Sequence, residues 1–201
     1  MVVFRIKCVI LGNCNAGKTS LLSRYLNNTY YDYSETTIGC SFNNKKIVKD
    51  NDEYIIDIWD TAGQERYRAL MPMYYRNSDL IFLCFDLSSD SSICKSFNYW
   101  IKEIQKNNNV ENKTVVIIGT KSDNKSNLII NEIKELIKEK EYMYFETSSK
   151  ENINIKETFE KSFNEVISNF NNKNVIKKEN LSIEVSDDSS YTNYLYYCNI
   201  L

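Results

Sequence analysis

Short apolar runs and helically spaced apolar positions alternate along most of the chain. Val2 to Leu11 is a largely apolar run closed by Gly12, which predicts a buried strand. Lys18 to Leu26 places Leu21, Leu22, Tyr25 and Leu26 at helical spacing. Phe42 to Val48 and Tyr54 to Trp59 predict two strands, and Asp50-Asn51-Asp52 between them predicts a hairpin. Leu80 to Phe85 is a further buried strand, followed by a helix marked by Phe97, Trp100, Ile101 and Ile104. Thr114 to Ile118 reads as a strand, Ile129 to Lys140 as a helix and Tyr142 to Glu146 as a short strand. A last helix carries a stripe at Ile155, Phe159, Phe163, Val166, Ile167 and Phe170. Strands alternating with helices around one inserted hairpin predict an α/β fold with a doubly wound, mostly parallel six-stranded sheet and one antiparallel strand. After Phe170 the period dissolves, so the expectation is one domain over 1–170 and a disordered tail over 171–201.

Composition narrows the chemistry. The 201 residues are 42% hydrophobic and 26% charged, ordinary for a globular chain, and the net charge of -2 gives no electrostatic footprint for nucleic acid. There is no histidine, which excludes an imidazole base, a Ser-His dyad and a His-ligated metal. Six cysteines are scattered without a C-x-x-C pair, which fits a reducing compartment better than a disulfide framework. Apolar runs such as Leu80 to Phe85 fall far short of the roughly 18 residues a spanning helix needs. These features point to an intracellular protein. Lysine outnumbers arginine 20 to 5, yet Arg66, Arg68 and Arg76 fall close together, where forked donors suit a shaped surface.

Three short motifs stand at the ends of predicted strands. Gly12-Asn13-Cys14-Asn15-Ala16-Gly17-Lys18-Thr19 follows a strand and opens a helix, the setting in which backbone N–H groups cradle phosphates. In that setting Lys18 reaches the outer phosphates and the Thr19 hydroxyl binds Mg²⁺. Asp60-Thr61-Ala62-Gly63-Gln64 follows Trp59, placing a carboxylate where a phosphate-loop enzyme holds its metal. Gly63 can offer its N–H to a terminal phosphate, and Gln64 can orient an attacking water. Thr120-Lys121-Ser122-Asp123 follows the strand from Thr114, where a carboxylate can accept from N1–H and the 2-amino group of guanine; adenine has neither donor. The Lys121 stem can lie across the base plane. Glu146-Thr147-Ser148-Ser149-Lys150 follows the last strand, where backbone N–H groups can approach guanine O6.

With these motifs in this order, the chain resembles the Ras superfamily of small GTPases over about Phe4 to Phe170, and within it the Rab family. The resemblance rests on the phosphate loop, on Thr37-Ile38-Gly39 and on Trp59-Asp60-Thr61-Ala62-Gly63-Gln64-Glu65-Arg66-Tyr67. Ile38-Gly39-Cys40-Ser41-Phe42 and Arg68 to Arg76 look like the early-endosomal branch of Rabs. The family implies a P-loop NTPase fold with about five helices, and a switch in which Thr37 and Gly63 contact the γ-phosphate and are released on hydrolysis. It further implies nucleotide contacts from Gly12 through Ser20, and from Tyr30, Thr37, Gly63, Thr120, Lys121, Asp123, Ser148, Ser149 and Lys150. Mg²⁺ would be held by Thr19, Thr37 and Asp60, with Gln64 and Lys18 as the catalytic pair. Intrinsic hydrolysis would be slow, on the order of 10⁻⁴ to 10⁻³ s⁻¹, until a partner supplies an arginine. The implied protein is a monomeric GTP/GDP switch cycling between cytosol and an endosomal membrane. Exchange factor, activating protein and effectors would act through Thr37–Phe42 and Gln64–Arg76. Phe42, Trp59 and Tyr74 match the family's aromatic effector triad, and plain packing in the sheet accounts for them equally well.

The chain departs from the family pattern at three places. Thr120 stands for the usual Asn, and Ser149 for the usual Ala, of the base motifs. Cys14 and Asn15 occupy usually small loop positions near the attacking water. Crowding there sets up the alternative of a guanine-nucleotide-binding adaptor that barely hydrolyses GTP. Cys198-Asn199-Ile200-Leu201 fits C-a-a-X with Leu favouring geranylgeranylation, which implies a prenyl-binding escort protein and a lipid-anchored tail. One lipid without a polybasic stretch predicts reversible attachment.

Overall fold

Each predicted strand is present, and the hairpin falls where Asp50 and Asn51 permit it. The order is β1 (Val3–Gly12), α1 (Lys18–Asn27), β2 (Cys40–Lys49), β3 (Asp52–Thr61), a 3₁₀ turn (Glu65–Leu70) leading into α2 (Met71–Tyr75), β4 (Leu80–Asp86), α3 (Ile93–Lys106), β5 (Thr114–Thr120), β6 (Met143–Glu146) and α4 (Ile155–Glu184). The computed structural model describes residues 1–33, 35–88, 93–106, 113–125, 134–135, 137–138 and 141–184. Helical backbone at 134–135 and 137–138 matches part of the helix expected over Ile129 to Lys140, whose other residues lie outside the described ones. Two units are separable, Met1–Val166 and Ile167–Leu201. The backbone of α4 stays helical to Glu184, beyond Phe170 where the apolar stripe stops.

The sheet runs β2-β3-β1-β4-β5-β6. Only the β2–β3 pair is antiparallel among these neighbours. Lys49 pairs with Asp52 across a two-residue turn whose Asp50 (φ 52°) and Asn51 (φ 65°) both take positive φ, the geometry that matches the strand twist.

Strand periodicity divides the core between two faces. Val9, Leu11, Ile81, Leu83, Phe85, Val115 and Ile117 pack with Phe97, Trp100, Ile101 and Ile104 of α3 and with Met71 and Tyr75 of α2. Their strand neighbours Cys8, Ile10, Phe82, Cys84, Val116 and Ile118 are also fully buried. On this second face Phe82 packs edge-on to Phe159 of α4 with centroids 5.0 Å apart, and Tyr25 of α1 stacks on the same ring at 4.0 Å. A parallel sheet covered on both faces leaves the carboxyl ends of its strands as the open crevice, where strand order reverses on either side of β1.

Candidate functional site

β1 ends at Gly12 in the centre of the sheet, and the chain turns through 13–17 into the N-terminus of α1. Gly12 (φ 144°) lies so close to β4 that a Cβ would collide with the Cys84 carbonyl oxygen. Gly63 is packed the same way against the phosphate loop: a Cβ there would run into the Asn13 carbonyl oxygen and lie 2.5 Å from the Cys14 nitrogen. The segment after β3 therefore approaches the loop backbone to backbone, at the one position without a side chain.

Lys18 is 6% exposed, and its Nζ donates to the Gly12 carbonyl at 3.0 Å and the Asn13 carbonyl at 2.8 Å. Burial pulls its pKa below the ordinary lysine value, opposed by nearby acidic groups including Asp60. Both hydrogen-bond acceptors are neutral, which leaves this buried ammonium without an anionic hydrogen-bond partner. Beside it the Thr19 hydroxyl donates to Asp60 Oδ2 at 2.7 Å and lies 2.8 Å from the Thr37 hydroxyl. Since Thr19 spends its proton on Asp60, Thr37 is the donor of the second bond. Asp60 Oδ1 is buried without a hydrogen-bond partner. Burial pushes this carboxyl up, opposed by the Thr19 hydrogen bond, the Lys18 charge and the Ser41 hydroxyl. Two hydroxyls and a carboxylate oxygen with no partner form an oxygen donor set that fits a small hard cation such as Mg²⁺.

A cavity of about 450 Å³ opens over these groups. It is lined by Cys14 through Ser20 of the loop, by Tyr30 and Thr37, by Gly63 and Gln64, and by Lys121. A second cavity of about 200 Å³ is lined by Gly17, Ser20, Tyr30, Thr120, Lys121, Asp123, Ser149 and Lys150. The two share Gly17, Ser20, Tyr30 and Lys121, which makes one continuous groove of a phosphate end and a base end. Gly12, Asn13, Asp60 and Ser148 line neither cavity; Asp60 reaches the site through its hydrogen bond with Thr19. Cys14 and Asn15 are exposed on the phosphate side, and Asn15 holds φ 61°, which asparagine tolerates better than most residues. Cys198 lies outside the described residues.

The base end is internally tied. The buried Thr120 hydroxyl lies 3.0 Å from the Ala16 carbonyl and 2.9 Å from the Phe85 carbonyl, so this short side chain joins the phosphate loop to β4. Ser148 is fully buried, and its hydroxyl donates to Asp123 Oδ1 at 2.5 Å. Lys121, at φ 56°, pairs through Nζ with Asp86 Oδ2 at 2.7 Å. The other oxygen of Asp86 accepts from the Ser88 N–H at 2.9 Å and the Ser88 hydroxyl at 2.6 Å. Sequence reasoning missed Asp86; its signal is a carboxylate at the C-terminal end of an otherwise apolar strand. It also missed the anchor of the phosphate loop on α3. There the Asn13 amide donates to Ser96 Oγ at 2.7 Å and accepts from Trp100 Nε1 at 3.1 Å.

On the face formed by β2, β3 and α2, Phe42 meets Trp59 edge-on at 5.0 Å, and Trp59 meets Tyr74 at 6.2 Å. Trp59 and Tyr74 pack against the core, whereas Phe42 is 48% exposed, and Ile38, Leu70 and Met73 are exposed as well.

Comparison with known proteins agrees with this groove. The Ras family profile matches residues 7–168. The Ras-related protein Rab-3 of Caenorhabditis elegans is 36% identical over 160 residues, 79% of this chain and 72% of that protein. The Ras-related protein Rab5 of Nicotiana tabacum is 34% identical over 155 residues, 76% of each chain. The Ras-related protein Rab-5A of Dictyostelium discoideum is 34% identical over 159 residues, 78% of each. With the profile matching residues 7–168 and these relatives each covered to more than two thirds, the chain belongs to the Ras family and within it to the Rab small GTPases, guanine-nucleotide switches that hydrolyse GTP in membrane trafficking.

Proposed function

We propose that the groove holds GTP with its phosphates over Lys18 and its base beside Asp123, and that nucleotide state controls effector binding at an endosomal membrane. The observation that carries the phosphate assignment is the buried Lys18 ammonium with two neutral carbonyl partners, next to the unpartnered Asp60 Oδ1. Gln64 lines the phosphate cavity, where its amide can accept from and donate to a water aligned with the γ-phosphate. Lys18 and the N-terminus of α1 stabilise charge that develops on the phosphate oxygens. Mg²⁺ held by Thr19, Thr37 and Asp60 would neutralise further charge there.

The exposed apolar side chains of Ile38, Phe42, Leu70 and Met73 support Thr37–Phe42 and Gln64–Arg76 as the effector surface. The Rab5-named relatives and Ile38-Gly39-Cys40-Ser41-Phe42 support the endosomal assignment. No helix among the described residues is long and apolar enough to cross a membrane. Attachment through prenylated Cys198, with an escort protein, completes the reading, supported by the Cys-Asn-Ile-Leu pattern.

Single-turnover hydrolysis tests the mechanism. Gln64→Leu should slow hydrolysis of bound GTP by about tenfold or more and leave GDP affinity within about twofold of wild type. Equal hydrolysis by wild type and Gln64→Leu would remove Gln64 from the mechanism.

A further inference from the structure

Arg24 lies in α1, outside every nucleotide motif, yet its guanidinium reaches the loop that closes the base end. Nε donates to the Ser149 carbonyl at 2.7 Å, and Nη2 donates to the Lys150 carbonyl at 3.3 Å. Nη1 donates to the Asn28 carbonyl at 2.8 Å, satisfying the C-terminus of its own helix. Its carbon lies 5.8 Å from the centroid of the Tyr30 ring, which lines both cavities.

The two carbonyls matter because of what their loop carries. In a trans peptide the C=O and the following N–H point to opposite sides. The Lys150 carbonyl faces Arg24, so the Glu151 N–H is turned the other way, where it donates to Ser148 Oγ at 3.0 Å. That hydroxyl donates in turn to Asp123 Oδ1. One relay therefore runs from the guanidinium through a peptide and a buried hydroxyl to the carboxylate that faces the base. Every bond donates in the same direction, so each polarises the next. A lysine at this position presents a point charge with no rigid fork and cannot match two adjacent carbonyls in the same way.

We propose that Arg24 is a positioning residue for base recognition: it fixes the 149–150 loop and, through Ser148, the orientation of Asp123. The inference rests on the reading of Asp123 as the group that accepts from guanine.

The experiment compares GDP with IDP, which lacks the 2-amino group, by competition against a fluorescent GDP analogue. The affinity ratio reads the orientation of Asp123 separately from phosphate binding. Arg24→Ala should narrow the GDP preference over IDP by about fivefold, the scale of one weakened hydrogen bond to a charged group, with Arg24→Lys intermediate. Ser148→Ala cuts the same relay nearer Asp123 and should narrow the ratio as well. Adding Arg24→Ala to Ser148→Ala should change the ratio no further, because both substitutions act on one chain of bonds. Arg24→Lys carries the test should Arg24→Ala fail to fold. Equal weakening of GDP and IDP would overturn the proposal and leave Arg24 as a helix cap. An unchanged ratio in Arg24→Lys and Arg24→Ala would overturn it too. A wild-type protein without preference for GDP over IDP would instead overturn the reading of Asp123, and the proposal with it.

Discussion

The two ends of the nucleotide groove are built on opposite principles. At the phosphate end the charged groups lack partners of matching charge or number: Lys18 is bonded to two neutral carbonyls, and Asp60 Oδ1 has no hydrogen bond. At the base end Asp123, Lys121 and Arg24 are each tied to the protein. A buried polar group without its partner costs more than a formed hydrogen bond returns. On the proposed reading the phosphate end is completed by ligand and can be reorganised by nucleotide state, whereas the base end is assembled beforehand. That difference would let one groove retain a nucleotide and report its terminal phosphate through Thr37 and Gly63.

Substitutions at the two ends should differ in kind as well as size. The largest effect belongs to Lys18→Ala, which removes the only buried ammonium facing the phosphate cavity among the described residues. Fluorescent-nucleotide titration should show GDP and GTP affinity falling roughly several hundred-fold, the scale of two charge-assisted hydrogen bonds. Chelating divalent cations should come next, speeding GDP release by about 30-fold in stopped-flow fluorescence, because Asp60 again faces the phosphates without a counter-charge. That acceleration should vanish in Asp60→Asn. Thr120→Val keeps shape and deletes the hydroxyl shared by the Ala16 and Phe85 carbonyls. It should cost about 1–2 kcal/mol in urea unfolding and speed nucleotide loss by about tenfold, with the balance between GDP and GTP unchanged. A GDP–GTP imbalance in Thr120→Val would break the division between the ends.

The smallest effect on nucleotide binding lies where α2 meets the sheet. Burial lowers the Lys113 ammonium from its ordinary 10.5 to about 8, and its Nζ donates to the Tyr75 carbonyl at 3.3 Å. Between pH 8 and 10.5 the unfolded chain binds more protons at this site than the folded one, so Lys113 makes stability rise with pH across that window. Below pH 8 the penalty is present in full. Lys113→Met should flatten that rise in urea midpoints and leave base discrimination untouched.

The fold was legible where hydrophobic period was strong. The strands around Val9, Phe82 and Ile117 and the hairpin at Asp50-Asn51 follow from alternation and turn chemistry. α2 was not legible, since Met71–Tyr75 spans five residues and follows a 3₁₀ turn, too short for a helical period. In the site, the loop motifs named the residues that line the groove. They did not name Arg24, Asp86 or Trp100, whose contacts join segments separated by 125, 35 and 87 positions. Such groups support a motif from distant strands and helices, and no local spacing marks them.

Hydrogen exchange on the protein loaded first with GDP and then with a non-hydrolysable GTP analogue tests the division most directly. Protection should rise at Thr37–Cys40 and Gly63–Arg68 and stay constant at Thr120–Asn124 and Ser148–Ile153. Equal changes in the base loops would contradict a prebuilt base end, and unchanged protection around Thr37 and Gly63 would contradict a phosphate end that the ligand completes.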